Sequence, residues 1–172
     1  MGELAVAVLG PDRPGVIAAL TEVLLAEAGN LTDASMTILR GQFAMTLVVD
    51  VPVDVDRVEA DLAPVADRLG LLVSVREVAP AGEQPERPQP YLVRVHGADR
   101  PGIVHRVAAL LAARDVNITD LTTRLSGGLY ILIAEVEIPD ALDADELSAA
   151  LTALAGDLGV HATLEPSSAD LL

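Results

Sequence analysis

The chain repeats itself. Gly10-Pro11-Asp12-Arg13-Pro14-Gly15 returns 87 positions later as Gly97-Ala98-Asp99-Arg100-Pro101-Gly102, and the copies align without a gap from Gly10 to Pro52 and from Gly97 to Pro139. Of those 43 pairs 13 are identical, and exchanges such as Val16 for Ile103 and Phe43 for Tyr130 preserve the chemistry of many others. Chance does not produce a gapless match of that length, so each copy is one structural unit folded by the same rules. Past the proline the second copy gains two residues, so that Asp54 answers to Asp143. Residues 80–90 contain four prolines and no apolar period and read as an extended, semi-rigid linker. The expected division is therefore 1–79, linker 80–90, 91–166, and a frayed tail at 167–172.

Inside each copy the hydrophobic period changes in a fixed order. Leu4, Val6 and Val8 lie in a nearly continuous apolar run that suits a central strand. Pro14 sits well in the first turn of a helix, where a missing N–H has no partner to lose. Val16, Leu20, Val23, Leu24 and Glu27 trace that helix, and Gly29 is the expected stop. Leu31–Leu39 and Phe43–Val51 are β-rich runs joined as a hairpin around Arg40-Gly41-Gln42. A second helix carries Val55, Val58, Leu62, Val65 and Leu69, with Leu147, Leu151, Leu154 and Leu158 as its counterpart. Gly70 and Gly159 end these helices, and final strands follow at Leu71–Glu77 and Val160–Glu165. The order is βαββαβ. The expected class is α+β: two tandem ferredoxin-like units, each a four-stranded antiparallel sheet with two helices on one face. Leucine and valine on both strand faces suggest that the helix-free face is covered too.

Several functions are hard to build from these residues. There is no cysteine, which removes thiolate nucleophiles, disulfides and Cys-ligated metals. All 11 basic residues are arginine, so lysine Schiff-base chemistry and a P-loop lysine are excluded. A net charge of −15 with aromatics at 2% lacks both the basic footprint and the stacking platforms of a direct nucleic-acid binder. No apolar run is long enough to span a bilayer, and the start of the chain lacks a secretory pattern, so the expectation is a cytoplasmic protein without a membrane role. His96 and His105 flank the second Asp99 loop, but Leu9 and Ala18 hold those places in the first copy; the expectation is no metal and no other cofactor. The acidic pairs Asp54/Asp56 and Asp143/Asp145 stand at helix starts, where negative charge is stabilising and no catalytic role is needed.

A strand, then Gly-x-Asp-Arg-Pro-Gly-[Val/Ile], a helix, and Asn-[Leu/Ile]-Thr-Asp opening the second strand resembles the ACT domain family, twice over. Two such units with little else are most similar to the glycine-cleavage-system regulatory group within it. The resemblance implies a regulatory protein, not an enzyme, that binds an amino acid or similar small metabolite between units. The first half of each implied site is Asp12, Arg13, Pro14 and Gly15, or Asp99, Arg100, Pro101 and Gly102. The second half comes from a neighbour: Asn30, Leu31 and Asp33, or Asn117, Ile118 and Asp120. Elementary chemistry agrees with that placement. A helix start offers free N–H groups and partial positive charge to a carboxylate, an aspartate can hold an α-ammonium, and glycine admits close approach. So small a ligand binds at about 1 μM to 1 mM.

The same tetrapeptide also reads as a turn and helix start alone, with Asp as cap, Pro preset and Gly flexible. Arg13 and Arg100 read as solvated or ion-paired, and Asn30 and Asn117 as relief for a tight turn. Two other functional classes stay open. One is a ligand-independent interaction module, and the other, the weakest, is an acylphosphatase-like enzyme, whose glycine-rich loop with a catalytic arginine is not seen. The expected partners are the amino acid ligand and a protein such as a transcription factor or metabolic enzyme. Uncovered sheet surface and edges suggest a homodimer.

Overall fold

The computed structural model of the protein describes residues 2–78 and 89–167, and the chain divides into two compact units between Gly82 and Glu83. The expected linker falls outside the described residues as far as residue 88, as does the tail beyond Ser167. The first unit runs β1 (Gly2–Pro11), α1 (Val16–Ala26), β2 (Asn30–Leu39), β3 (Gln42–Val51), α2 (Val55–Leu69) and β4 (Leu72–Glu77). The second runs β5 (Pro90–Ala98), α3 (Ile103–Ala112), β6 (Asn117–Ser126), β7 (Leu129–Glu137), α4 (Ala144–Leu158) and β8 (Val160–Pro166). The sheets are ordered β2-β3-β1-β4 and β6-β7-β5-β8, with every neighbouring pair antiparallel. This is the α+β ferredoxin-like plan read from the repeat. No helix among the described residues is long and apolar enough to cross a membrane.

Each unit has its own core between its helices and one face of its sheet. In the first, Val6, Val8, Leu47 and Val49 meet Val16, Leu20 and Leu24 of α1 and Val58 and Leu62 of α2. In the second, Val93, Val95, Leu132 and Ala134 meet Ile103, Val107 and Leu111 of α3 and Leu147 and Leu151 of α4. A strand's period of two allows only one of its faces to join such a core. The alternate residues of β1 show the consequence: Ala7 and Leu9 are exposed, Leu9 at 46%. Within its own unit neither helix covers that face.

The two uncovered faces differ in chemistry. Register places Thr37, Ala44, Leu9 and Leu72 in one row and Ser35, Thr46, Ala7 and Ser74 in the next, giving the first unit a small, mostly apolar surface. The equivalent rows of the second unit are Arg124, Ile131, His96 and His161, then Thr122, Ile133, Arg94 and Thr163. Sequence identity in the loops thus coexists with divergence on the open faces.

Local backbone chemistry departs from the sequence reading at three points. Pro14 precedes α1 and is not in its first turn, because Gly15 (φ 91°) occupies the N-cap position. The left-handed residue that turns the chain out of α1 is Ala28 (φ 56°), matched by Asp115 (φ 56°), whereas Gly29 has no positive φ. Gly29 is needed for space: a Cβ there would lie 2.8 Å from the Leu24 carbonyl oxygen. The hairpin turn is two residues, Arg40-Gly41 and Gly127-Gly128, all with positive φ, as a type I′ turn requires. Pro64 lies inside α2, on its exposed side, where loss of one backbone donor is least costly.

Candidate functional site

The Asp-Arg-Pro-Gly loops join the end of a central strand to a helix that has no cap. Asp12 donates its backbone N–H to the Gly41 carbonyl at 3.0 Å, tying the loop to the β2–β3 hairpin. The first intrahelical bond of α1 runs from Ala19 N–H to the Gly15 carbonyl at 3.0 Å; in α3 it runs from Arg106 N–H to Gly102 at 2.9 Å. The N–H groups of Ile17 and Ala18, and of Val104 and His105, precede those bonds and have no acceptor within their helices. No side chain caps either helix, and neither has an acidic residue in its first turn.

The other two helices show what a finished N-terminus looks like here. Asp54 accepts the Arg57 N–H at 3.0 Å and Asp143 accepts the Asp145 N–H at 2.8 Å. Asp56, Asp145 and Glu146 add negative charge in those first turns, as the sequence led one to expect. Asp12 and Asp99 do not serve as caps, so that part of the purely structural reading fails. The glycine part stands. Gly15 and Gly102 share nearly one conformation (φ 91°, ψ −1° and φ 93°, ψ −2°), and a Cβ added to either would find no atom within 4 Å. The space before both loops is open.

All eight loop residues, Asp12, Arg13, Pro14, Gly15, Asp99, Arg100, Pro101 and Gly102, are exposed. The arginines differ. The Arg100 guanidinium lies 3.1–3.2 Å from the position of a Cβ on Gly159, at the C-terminus of α4, where a cation complements the helix dipole. Gly70, the matching residue, has only Pro11 near that position.

The second-strand residues lie elsewhere. Asn30 pairs with Asp50, which pairs with Glu3 at the opposite end of β1 from Asp12. Nine residues of extended strand separate the two ends, roughly 30 Å. Asn117 likewise pairs with Glu137, opposite Pro90, while the Asp99 loop follows Ala98. Within one unit the two halves of the implied site cannot meet. Both copies carry a register shift inside this segment, between Leu31 and Asp33 and between Ile118 and Asp120. Such a bulge re-aims side chains at a strand's start; it leaves Asn30, Asp33, Asn117 and Asp120 exposed and Ile118 half-buried. The Asn117 amide donates to Glu137 at a long 3.4 Å.

The remaining polar groups lie at or near the surface. Among the described residues no polar or charged residue is buried, and no three His, Asp or Glu side chains are grouped as metal ligands. His105 lies on α3, across the sheet from His96, so the triplet with Asp99 does not assemble. His96 instead stands beside His161, ring centroids 5.3 Å apart. Sequence reasoning missed that pair, although alternation in the two strands put both on one face. It also missed the shallow groove of about 410 Å³ on the first unit's open face, lined by Leu9, Ser35, Thr37, Thr46 and Leu72 among others. One ion network joins the helices of the first unit: Arg57 donates to Glu27 at 2.9 Å and lies 2.9 Å from Asp61. The Arg57 hydrogen bond holds the Glu27 carboxyl below its usual range, and Glu27 in turn raises Arg57.

Comparison with known proteins places these features in a lineage. Family models for the ACT domain match residues 3–76 and 91–156. The glycine cleavage system transcriptional repressor of Escherichia coli is 25% identical over 168 residues, 94% of this chain and 88% of that protein. A UPF0237 protein of Methanopyrus kandleri is 37% identical over 79 residues, 44% of this chain and 88% of its own. The crystal structure of an unknown protein from Galdieria sulphuraria superposes with a TM-score of 0.82 at 27% identity, covering 97% of this chain and 99% of that one.

Proposed function

This chain belongs to the ACT domain family through both of its halves, and from that premise we infer that it is a non-enzymatic regulatory protein that binds a free amino acid or similar small metabolite. The observation that carries the reading is the contrast between helices. α2 and α4 are capped and charged by their own aspartates, whereas α1 and α3 present bare N–H groups behind a glycine facing open space. A ligand carboxylate occupies those N–H groups, Asp12 or Asp99 holds its ammonium, and Gly15 or Gly102 lets it approach.

A neighbouring unit completes the site with Asn30, Leu31 and Asp33, or Asn117, Ile118 and Asp120. The roughly 30 Å between the two segments of one sheet is the reason a neighbour is required. Ligand binding is thereby coupled to how units pair, which is a means of relaying it to a protein partner in the cytoplasm. Likeness along nearly the whole chain to a transcriptional repressor supports a partner in gene regulation over a metabolic enzyme. A second copy of the chain, in a homodimer, supplies the neighbour.

Calorimetry with the full chain and the amino acid that binds it tests the assignment. Gly102→Asp and Asn117→Ala should each remove binding at one loop while circular dichroism stays unchanged. Unaltered binding in both variants would refute the site. A second reading, a ligand-independent interaction module, draws on the groove over Leu9 and Leu72, which are 46% and 72% exposed. It predicts a stoichiometric partner whose affinity ignores every metabolite. The acylphosphatase-like alternative gains no support from the second loop, where the Arg100 guanidinium lies against the end of α4.

A further inference from the structure

We propose that His96 and His161 form a two-histidine chelate for a divalent ion of the zinc class on the open face of the second unit. The residues are 65 positions apart in sequence, yet they are direct cross-strand partners in the β5–β8 pairing. Their rings are 5.3 Å apart between centroids and inclined at 27°. Two imidazoles on one tetrahedral ion, with metal–nitrogen bonds of about 2.0–2.1 Å, set their centroids about 5 Å apart. The pair, stacked face to face, therefore already has the centroid spacing of a chelate, and binding turns the rings out of that stack. Both residues are exposed, so their rings are free to rotate toward one ion without disturbing a packed core.

The surroundings suit a cation. Arg94, two residues before His96 on the same face, is paired with Glu165. Arg124 shares the row but lies beyond Ile131, two strand spacings or about 10 Å away. Imidazole nitrogen selects Zn²⁺, Ni²⁺ or Cu²⁺ over Mg²⁺ and Ca²⁺, which prefer oxygen. Two protein ligands leave coordination positions for water or for a carboxylate brought by a partner surface. The first unit supplies an internal contrast, because Leu9 and Leu72 hold the equivalent cross-strand places. The chelate belongs to the second unit alone.

Titration of the full chain with zinc chloride in a calorimeter, in a non-chelating buffer, tests this. The expected result is one ion per chain, bound at least tenfold more weakly by His96→Ala and by His161→Ala and unchanged by His105→Ala. Circular dichroism checks that each variant is folded. Absence of binding, equal affinity in either single variant, or equal loss in His105→Ala would overturn the proposal.

Discussion

Replacing Gly102 with alanine separates backbone strain from packing at the candidate loop. At φ 93° and ψ −2° an L-residue meets its own backbone, a cost of about 1–2 kcal/mol. Alanine also narrows the unfolded ensemble, which offsets about 0.4–1 kcal/mol. No atom lies within 4 Å of the added Cβ, so packing contributes nothing, and the net loss is about 0–1.6 kcal/mol. Gly15→Ala, with φ 91° and equal space, should match it. Gly97→Ala is the control. It has no left-handed φ, but its Cβ would lie 2.8–3.0 Å from Val160, including the Val160 Cα, an overpacking cost of about 1–3 kcal/mol or more. Urea unfolding followed by circular dichroism reads all three. With a slope of about 1–3 kcal/mol per molar, the loop variants should lower the midpoint by roughly 0.5 M and Gly97→Ala by more. A loss above about 3 kcal/mol in Gly102→Ala would mean that the space is filled, and a gain would mean that the glycine is not left-handed. Either result refutes the reasoning.

Arg40→Gly should stabilise the first unit by about 0.5–1 kcal/mol, because Arg40 holds φ 51° where the second copy has Gly127; thermal unfolding reads the gain. Leu62→Ala, at 0% exposure, should cost about 2–5 kcal/mol. Leu72→Ala, at 72% exposure, should stay within about 0.5 kcal/mol by the same urea assay. Glu27 has its pKa lowered on folding from the usual 4.5 by Arg57. Its stabilising contribution is thus full above that value and lost as pH falls through the lower, folded value. The stability gap between the native chain and Glu27→Gln should be present at neutral pH and close on acidification, and a gap that widens would contradict the Arg57 pairing.

Periodicity and repetition made the architecture legible, because Leu4, Val6 and Val8 or Leu147 and Leu151 reveal their elements through spacing alone. The left-handed turns at Ala28 and Asp115 were not legible, since neither residue type advertises a positive φ. Gly29 misled for a related reason: a glycine kept for closeness to Leu24 and Val49 looks like one kept for its dihedral angles. The loop motif was visible, but its lack of a cap was not, as an aspartate before a helix usually caps it. Contacts across strands depend on register, so the meeting of His96 with His161 and the row of Leu9 with Leu72 emerged only from the fold. The same holds for the distance between Asp12 and Asn30, which the register places at opposite ends of one sheet.

The most direct test of the account is a thermal-shift screen of the intact chain against the twenty amino acids, followed by calorimetry on any hit. The account predicts a saturable rise in melting temperature with at least one of them, half-maximal between about 1 μM and 1 mM, that is lost when Gly15 and Gly102 are both replaced by aspartate. No shift with any amino acid at millimolar concentration, or a shift that survives the double replacement, would contradict it.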